Sequence, residues 1–142
     1  MSRVASDVDP PRGDPIRGLA FSVNGGVHAC SEARRAVLAG DGAVPASARD
    51  DILLLVSELV TNAVRHADVG PDRSLQIELR RWPDRVRVEV AHTGPGFEHE
   101  GVPPTLDATG GWGLVIVDRI ADRWGITSRS GATRVWFELR SP

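Results

Sequence analysis

Ser57-Glu58-Leu59-Val60-Thr61-Asn62-Ala63-Val64-Arg65-His66-Ala67 is the stretch on which the reading of this chain turns. Glu58, Asn62 and His66 recur at every fourth residue, and on a helix that spacing stacks them along one stripe, with Arg65 beside it. At about 100° per residue the stripe borders the apolar face made by Ile52, Leu55, Val56, Leu59 and Ala63. Polar side chains at the rim of a core are where a pocket forms. The spacing alone is equally that of a solvated helix face carrying i,i+4 polar pairs, so the surroundings have to decide. The helix is predicted to start near Ser47 or Asp50, either of which supplies a capping oxygen, and to run to about Ala67.

Upstream, Met1 to about Pro15 is rich in Pro, Asp and Gly and poor in large apolar residues, so it reads as a flexible tail ahead of a single domain from residue 16 to 142. Leu19, Phe21 and Val23 alternate with small or polar residues, a short strand that Asn24-Gly25-Gly26 ends. Val27 to Ala39 reads as a first helix, and Gly40 to Pro45 as a loop. Downstream, Leu75, Ile77 and Leu79, then Val86, Val88 and Val90, alternate with polar residues across Pro83-Asp84, which predicts an antiparallel hairpin. A Gly- and Pro-rich stretch from Thr93 to Gly111 interrupts regular structure. Trp112 to Trp124 returns to helical spacing, with Leu114, Val117, Ile120 and Ala121 on one face, and Ile126 to Arg129 and Thr133 to Leu139 close the chain as strands. Strand, two helices, hairpin, helix, hairpin argues a two-layer α+β sandwich, with helices on one face of the sheet, rather than alternating βαβ units.

Several residues outside the long helix have chemistry to offer. His92 continues the inward phase of Val86, Val88 and Val90, so the strand carries a polar side chain under the helices. In Thr93-Gly94-Pro95-Gly96-Phe97, Gly94 and Gly96 leave room for backbone to approach a ligand. Gly110-Gly111-Trp112-Gly113 opens the third helix and offers free N–H groups and the positive dipole end to phosphates. Thr133 is in phase with Val135, Phe137 and Leu139 and points inward. The opposite phase puts Gln76, Glu78, Arg80, Arg87, Glu89, Arg134, Trp136 and Glu138 on the outer face, where Trp136 reads as an exposed aromatic and therefore as an interface residue.

Composition narrows the function classes. With 142 residues, 41% hydrophobic and 25% charged, the chain has material for one core, and a formal charge of -2 gives no footprint for wrapping nucleic acid. The longest strong apolar run, Ile52 to Val56, is far short of the roughly 20 residues that span a bilayer, so no membrane anchor is expected. Cys30 is the single cysteine, which suits a reducing cytoplasm, and its default reading is a small buried residue. His28-Ala29-Cys30, or His92 with His99, offers no second ligand cluster at a metal-site spacing.

Together these segments resemble the GHKL superfamily of histidine kinase-like ATPases, and within it the anti-sigma-factor serine kinases of bacteria, over roughly Phe21 to Leu139. Glu58, Asn62, Ala63, His66 and Ala67 preserve the order and spacing of that family's N box. The resemblance implies a Bergerat-type ATP-binding fold, an α/β sandwich with a mixed, mainly antiparallel sheet. It implies Glu58 as the catalytic group on the attacking hydroxyl, Asn62 as the Mg²⁺ ligand, and ATP as cofactor. His66, His92, Gly94, Gly96, Gly111, Trp112, Gly113 and Thr133 fall at the family's nucleotide-binding positions, and Phe97 to Gly110 at its ATP lid. Where the family carries an aspartate that accepts from the adenine amino group, this sequence has His92. The implied function is that of a cytoplasmic homodimer that holds a sigma factor and phosphorylates an anti-sigma antagonist on serine or threonine, without touching nucleic acid. The alternative reading is a catalytically weak or inactive nucleotide-binding switch that acts by sequestering its protein partner, and His92 is the feature that favours it.

Overall fold

The alternation of Leu19, Phe21 and Val23 becomes β1 (Arg17–Asn24), the first strand in a computed structural model that describes residues 13–40, 42–66, 69–93, 112–129 and 131–141. It is followed by α1 (Ala29–Ala39), a single 3-10 turn at Ala46–Ala48, α2 (Arg49–His66), β2 (Ser74–Trp82), β3 (Arg85–Thr93), α3 (Trp112–Ile120), β4 (Arg123–Arg129) and β5 (Ala132–Arg140). The five strands form one sheet in the order β1-β2-β3-β5-β4, and every pairing is antiparallel, so the expected mixed sheet is antiparallel throughout the described residues. The predicted flexible tail, 1–12 of it, lies outside the described residues. Gly13 is placed: its carbonyl accepts a 3.0 Å hydrogen bond from the Trp82 indole.

The core is the layer between the inward face of the sheet and the helices. Ile52, Leu55, Val56, Leu59, Val60 and Ala63 of α2 are buried together with Leu75, Ile77 and Leu79 of β2, Val86, Val88 and Val90 of β3, and Val135, Phe137 and Leu139 of β5. Burying side chains of this size stabilises by about 1.5–3 kcal/mol each relative to exposure. This is why α2 forms as one long helix despite the β-branched Val56, Val60, Thr61 and Val64 along it.

Two parts of the sequence reading are corrected here. The third helix stops at Ile120, and Arg123 and Trp124 belong to β4 rather than to the helix end. Trp124 pairs with Phe137, is fully buried, and donates its indole N–H to Asp118 Oδ1 at 2.9 Å. Burial of a whole indole outweighs one more turn of an exposed helix. The outer face is also not an open polar surface with a bare tryptophan. Trp136 is only 2% exposed, because the Arg87 guanidinium lies 3.9 Å over its ring. Arg87 in turn donates from Nε to Glu89 at 3.1 Å and from Nη1 to Glu138 at 2.9 Å, and Arg123 reaches Glu138 at 3.0 Å. Arg80 and Arg134 approach Glu89 from either side. Charges on neighbouring strands thus neutralise one another above the aromatic ring and cover it, while Gln76, Glu78 and Arg134 stay exposed as the alternation predicts. At the hairpin turn, the hydrogen bond from Arg85 holds the Asp84 carboxyl below the usual carboxylate range.

Candidate functional site

The topology brings the sequence-predicted residues to one end of the sandwich. β2 starts at Ser74, eight residues after His66, so the C-terminal half of α2 lies at the end of the sheet where β2 begins. β3 ends and β5 begins there too, since Gln76 pairs with Ala91 and Thr93 with Ala132. Glu58, Asn62 and the backbone of His66 therefore lead along α2 toward the end that holds His92 and Thr133. These last two are direct partners across the β3–β5 ladder. The two-residue link of Ala121 and Asp122 turns the chain from α3 into β4 at the opposite end, which sets the N-terminus of α3, with Trp112 and Gly113, back toward the same place.

This end is locked by a close backbone approach. Gly25 donates to the Arg73 carbonyl at 2.9 Å and Gly26 to the Val69 carbonyl at 3.2 Å, tying the end of β1 to the segment that follows α2. A Cβ on Gly25 would sit 2.2 Å from the Val69 oxygen and 2.4 Å from that of Gly70, so only glycine fits.

Burial differs among the site residues. Asn62 is 5% exposed, His92 3% and Thr133 0%, whereas Glu58 is half-buried. The Asn62 Nδ2 atom is buried and has no hydrogen-bond partner among the described residues. An amide kept out of water without a partner costs about 1–3 kcal/mol, a cost that a ligand can offset. Gly94, Gly96 and Gly111 lie outside the described residues, as does the predicted lid, Phe97 to Gly110. Trp112 and Gly113 form the first turn of α3, which fits the expectation of a helix start at this point. Arg73, which the sequence reading passed over, adds a guanidinium Nη2 that is buried and has no partner among the described residues. Its only sequence signal is a cation just ahead of a strand. Cys30, expected as a plain buried residue, is part-buried and polar in its contacts, lying 3.0 Å from Thr61 Oγ1 and 3.4 Å from the Ser57 carbonyl.

The arrangement suits a magnesium–nucleotide pair better than a metal held by protein alone. No group of three or more His, Cys, Asp or Glu side chains converges among the described residues. Mg²⁺ characteristically keeps waters and phosphate oxygens and takes few protein ligands, so one side-chain amide oxygen, as Asn62 carries, could serve it. Glu58, one turn earlier, is half-buried and so keeps part of its carboxylate within reach of solvent.

The α+β sandwich is the fold of a nucleotide-binding class of domains, and comparison with known families places the chain in that class. The model of the histidine kinase-like ATPase domain matches residues 26–139, and the chain belongs to that family. Among curated proteins it is similar to the serine-protein kinase RsbW of Bacillus pumilus, with 32% identity over an alignment of 98 positions that covers 59% of this chain and 60% of that protein. The serine-protein kinase RsbW of Listeria innocua is 29% identical over 85 positions, covering 51% of this chain and 54% of that protein. The chain thus spans between half and two thirds of the length of these relatives.

Proposed function

We propose that this chain binds Mg-ATP at the end of the sandwich where α2, β3, β5 and α3 converge, and transfers the γ-phosphoryl group to a serine or threonine of an anti-sigma antagonist. The observation that carries this reading is the pairing on α2 of a half-buried Glu58 with a buried Asn62 whose amide nitrogen has no partner among the described residues. The similarity to serine-protein kinases supports the choice of acceptor. Asn62 holds the cation through its side-chain oxygen. Bound Mg²⁺ supplies the positive charge that offsets the phosphates. Glu58 orients the acceptor hydroxyl and takes its proton. His92 and Thr133 hold the base between the sheet and the helices, and the first turn of α3 receives phosphate oxygens on its free N–H groups.

In this reading the protein works in the cytoplasm as a homodimer that also holds a sigma factor. No helix among the described residues is long and apolar enough to cross a membrane. Phosphorylation of a purified antagonist, followed with Glu58→Gln, is the test. The variant is expected to bind Mg-ATP within about twofold of wild type and to transfer phosphate at least 100-fold more slowly, the usual scale of a general base. Equal transfer rates would make Glu58 structural. The non-catalytic switch is the second reading, favoured by His92, and it requires nucleotide binding without transfer in wild type.

A further inference from the structure

The end of the sheet opposite the candidate nucleotide site gathers a second group of charged side chains. The turn of Pro83 and Asp84, the link of Ala121 and Asp122, and the last residues of β5 meet there around a cleft of about 340 Å³ lined by Arg85, Asp122, Arg123, Glu138, Leu139 and Arg140. All of these but Leu139 are charged, whereas pockets for small molecules are lined mainly by apolar groups. Arg85 and Thr93 stand at the two ends of β3, so the cleft lies roughly 27 Å from the nucleotide end of the sheet. Backbone contacts fix its walls. Asp122 N–H donates to the Glu138 carbonyl at 2.9 Å, Arg140 N–H to Asp122 Oδ2 at 2.7 Å, and Ser141 N–H to the Asp84 carbonyl at 2.8 Å.

Strand phase turns Arg85 and Arg140 to the outer face, and the register makes them direct partners across the β3–β5 ladder. Like charges set opposite one another are unfavourable, and an anion between them removes the conflict. The carboxylates close by are already engaged. Glu138, almost wholly buried, accepts from Arg87 at 2.9 Å and from Arg123 at 3.1 Å. Asp122 serves the Arg140 backbone. Asp84 meets Arg85 at 3.2 Å in an exposed pair, of the kind that costs little to open. The exposed Arg140 guanidinium makes no hydrogen bond or ion pair among the described residues.

We propose that this cleft docks an acidic segment of a protein partner, extended along the outer face with carboxylates on alternate residues. One carboxylate bridges Arg85 and Arg140. The next, roughly 7 Å along an extended chain, reaches Arg123, because Arg123 is paired with Glu138, two residues before Arg140 on β5. A single free anion uses only the first of these positions. Guanidinium groups suit the segment because their planar forks grip carboxylates through two N–H groups at once. With a formal charge of -2 on the whole chain, the attraction comes from this local group of arginines and not from net charge. A partner held here leaves the nucleotide end of the sandwich uncovered.

Fluorescence anisotropy with a labelled hexapeptide of alternating aspartate and serine, in about 50 mM salt where exposed charges are weakly screened, tests the site. Wild type should bind this peptide at least tenfold more tightly than its asparagine counterpart, and a tenfold molar excess of inorganic phosphate over the peptide should displace less than half of it. Arg140→Gln should weaken binding at least tenfold, while Arg134→Gln, which removes an exposed arginine further along the same face, should stay within twofold. Because no contact of the Arg140 guanidinium holds the fold, that variant should melt within about 2 °C of wild type and titrate Mg-ATP unchanged. Equal losses for the two variants would show diffuse charge attraction and overturn the site. Full displacement by phosphate would reduce it to a single-anion position and overturn the segment. A wild type that ignores the peptide, with binding gained once Asp7→Asn and Asp9→Asn are combined, would mean that the chain's own acidic pair fills the cleft, and the partner reading falls; no binding in either chain overturns it outright.

Discussion

Replacing Asn62 by alanine is expected to abolish magnesium-dependent nucleotide binding while leaving the free protein close to its original stability. The stability half of that expectation rests on a buried amide nitrogen with no partner among the described residues, and the binding half on the proposed role of the side-chain oxygen toward the cation. Deleting the amide relieves a desolvation cost of about 1–3 kcal/mol. It also removes packing from a tight helix–sheet layer, at a cost of about 1–2 kcal/mol by analogy with truncations of similar size. The two nearly cancel, so the unliganded melting temperature should move by less than about 5 °C. Ligand stabilisation behaves differently. At 100 times the dissociation constant, wild type gains about 2.7 kcal/mol from its ligand. At about 3–5 °C per kcal/mol for a chain of this length, that is a rise of roughly 8–13 °C. Differential scanning fluorimetry with Mg-ATP, with ATP in EDTA, and without ligand reads all of these at once. An Asn62→Ala protein that melts 10 °C lower without ligand and still rises fully with Mg-ATP would refute the reasoning, because Asn62 would then be a packing residue.

His92→Asp should tighten ATP about tenfold and raise the preference for adenine over guanine, since an ionised acceptor on the inward face is worth about 1 kcal/mol more than a neutral one; isothermal titration with ATP and GTP gives both numbers, and weaker ATP binding would show that the imidazole engages the base in another way. Gly25→Ala should lower the melting temperature by about 5–10 °C, because its Cβ meets two backbone oxygens that cannot move without pulling the segment after α2 off the end of β1. Unchanged melting would mean that this junction yields freely. Arg87→Ala should cost about 2–3 kcal/mol by chemical denaturation, since it uncovers Trp136 and removes one cation from each of two buried carboxylates that keep other arginine partners. A brighter, solvent-shifted tryptophan emission should accompany it, and its absence would count against the stacked geometry.

The fold was legible wherever burial follows a single period. Leu75, Ile77 and Leu79, Val86, Val88 and Val90, and the apolar face of α2 declare themselves because one side chain in two, or one stripe in a helix, goes inside. The reading missed where tertiary contacts override the local pattern. Trp124 fits a helical repeat, but its place is set by Phe137 across the strand pair and by Asp118, whose side chain the repeat assigns to the polar side. Trp136 was misjudged because alternation alone cannot show that Arg87 on the adjacent strand covers it. At the site, the spacing of Glu58 and Asn62 is the signal on which the proposed stripe of α2 rests, while Arg73 offers only a cation ahead of a strand. Gly25 was legible as a breaker, but its reason, the carbonyls of Val69 and Gly70 within reach of any side chain, belongs to three dimensions.

The adjacency of β3 and β5 has a kinetic corollary. β2 and β3 join through a turn of two residues, but Thr93 and Ala132 pair across about 38 intervening residues. Closing that loop costs about 3 kcal/mol in chain entropy before any ladder bond compensates, against almost nothing for the hairpin. The β2–β3 and β4–β5 hairpins should therefore form first during refolding, and the non-local β3–β5 and β1–β2 pairings should follow in the slower regime typical of such contacts. His92 and Thr133 become neighbours only in that final step. If these two hold the base as proposed, recovery of nucleotide binding after dilution from denaturant should lag behind recovery of helical signal, and the ligand would act as a proofreader of completed molecules.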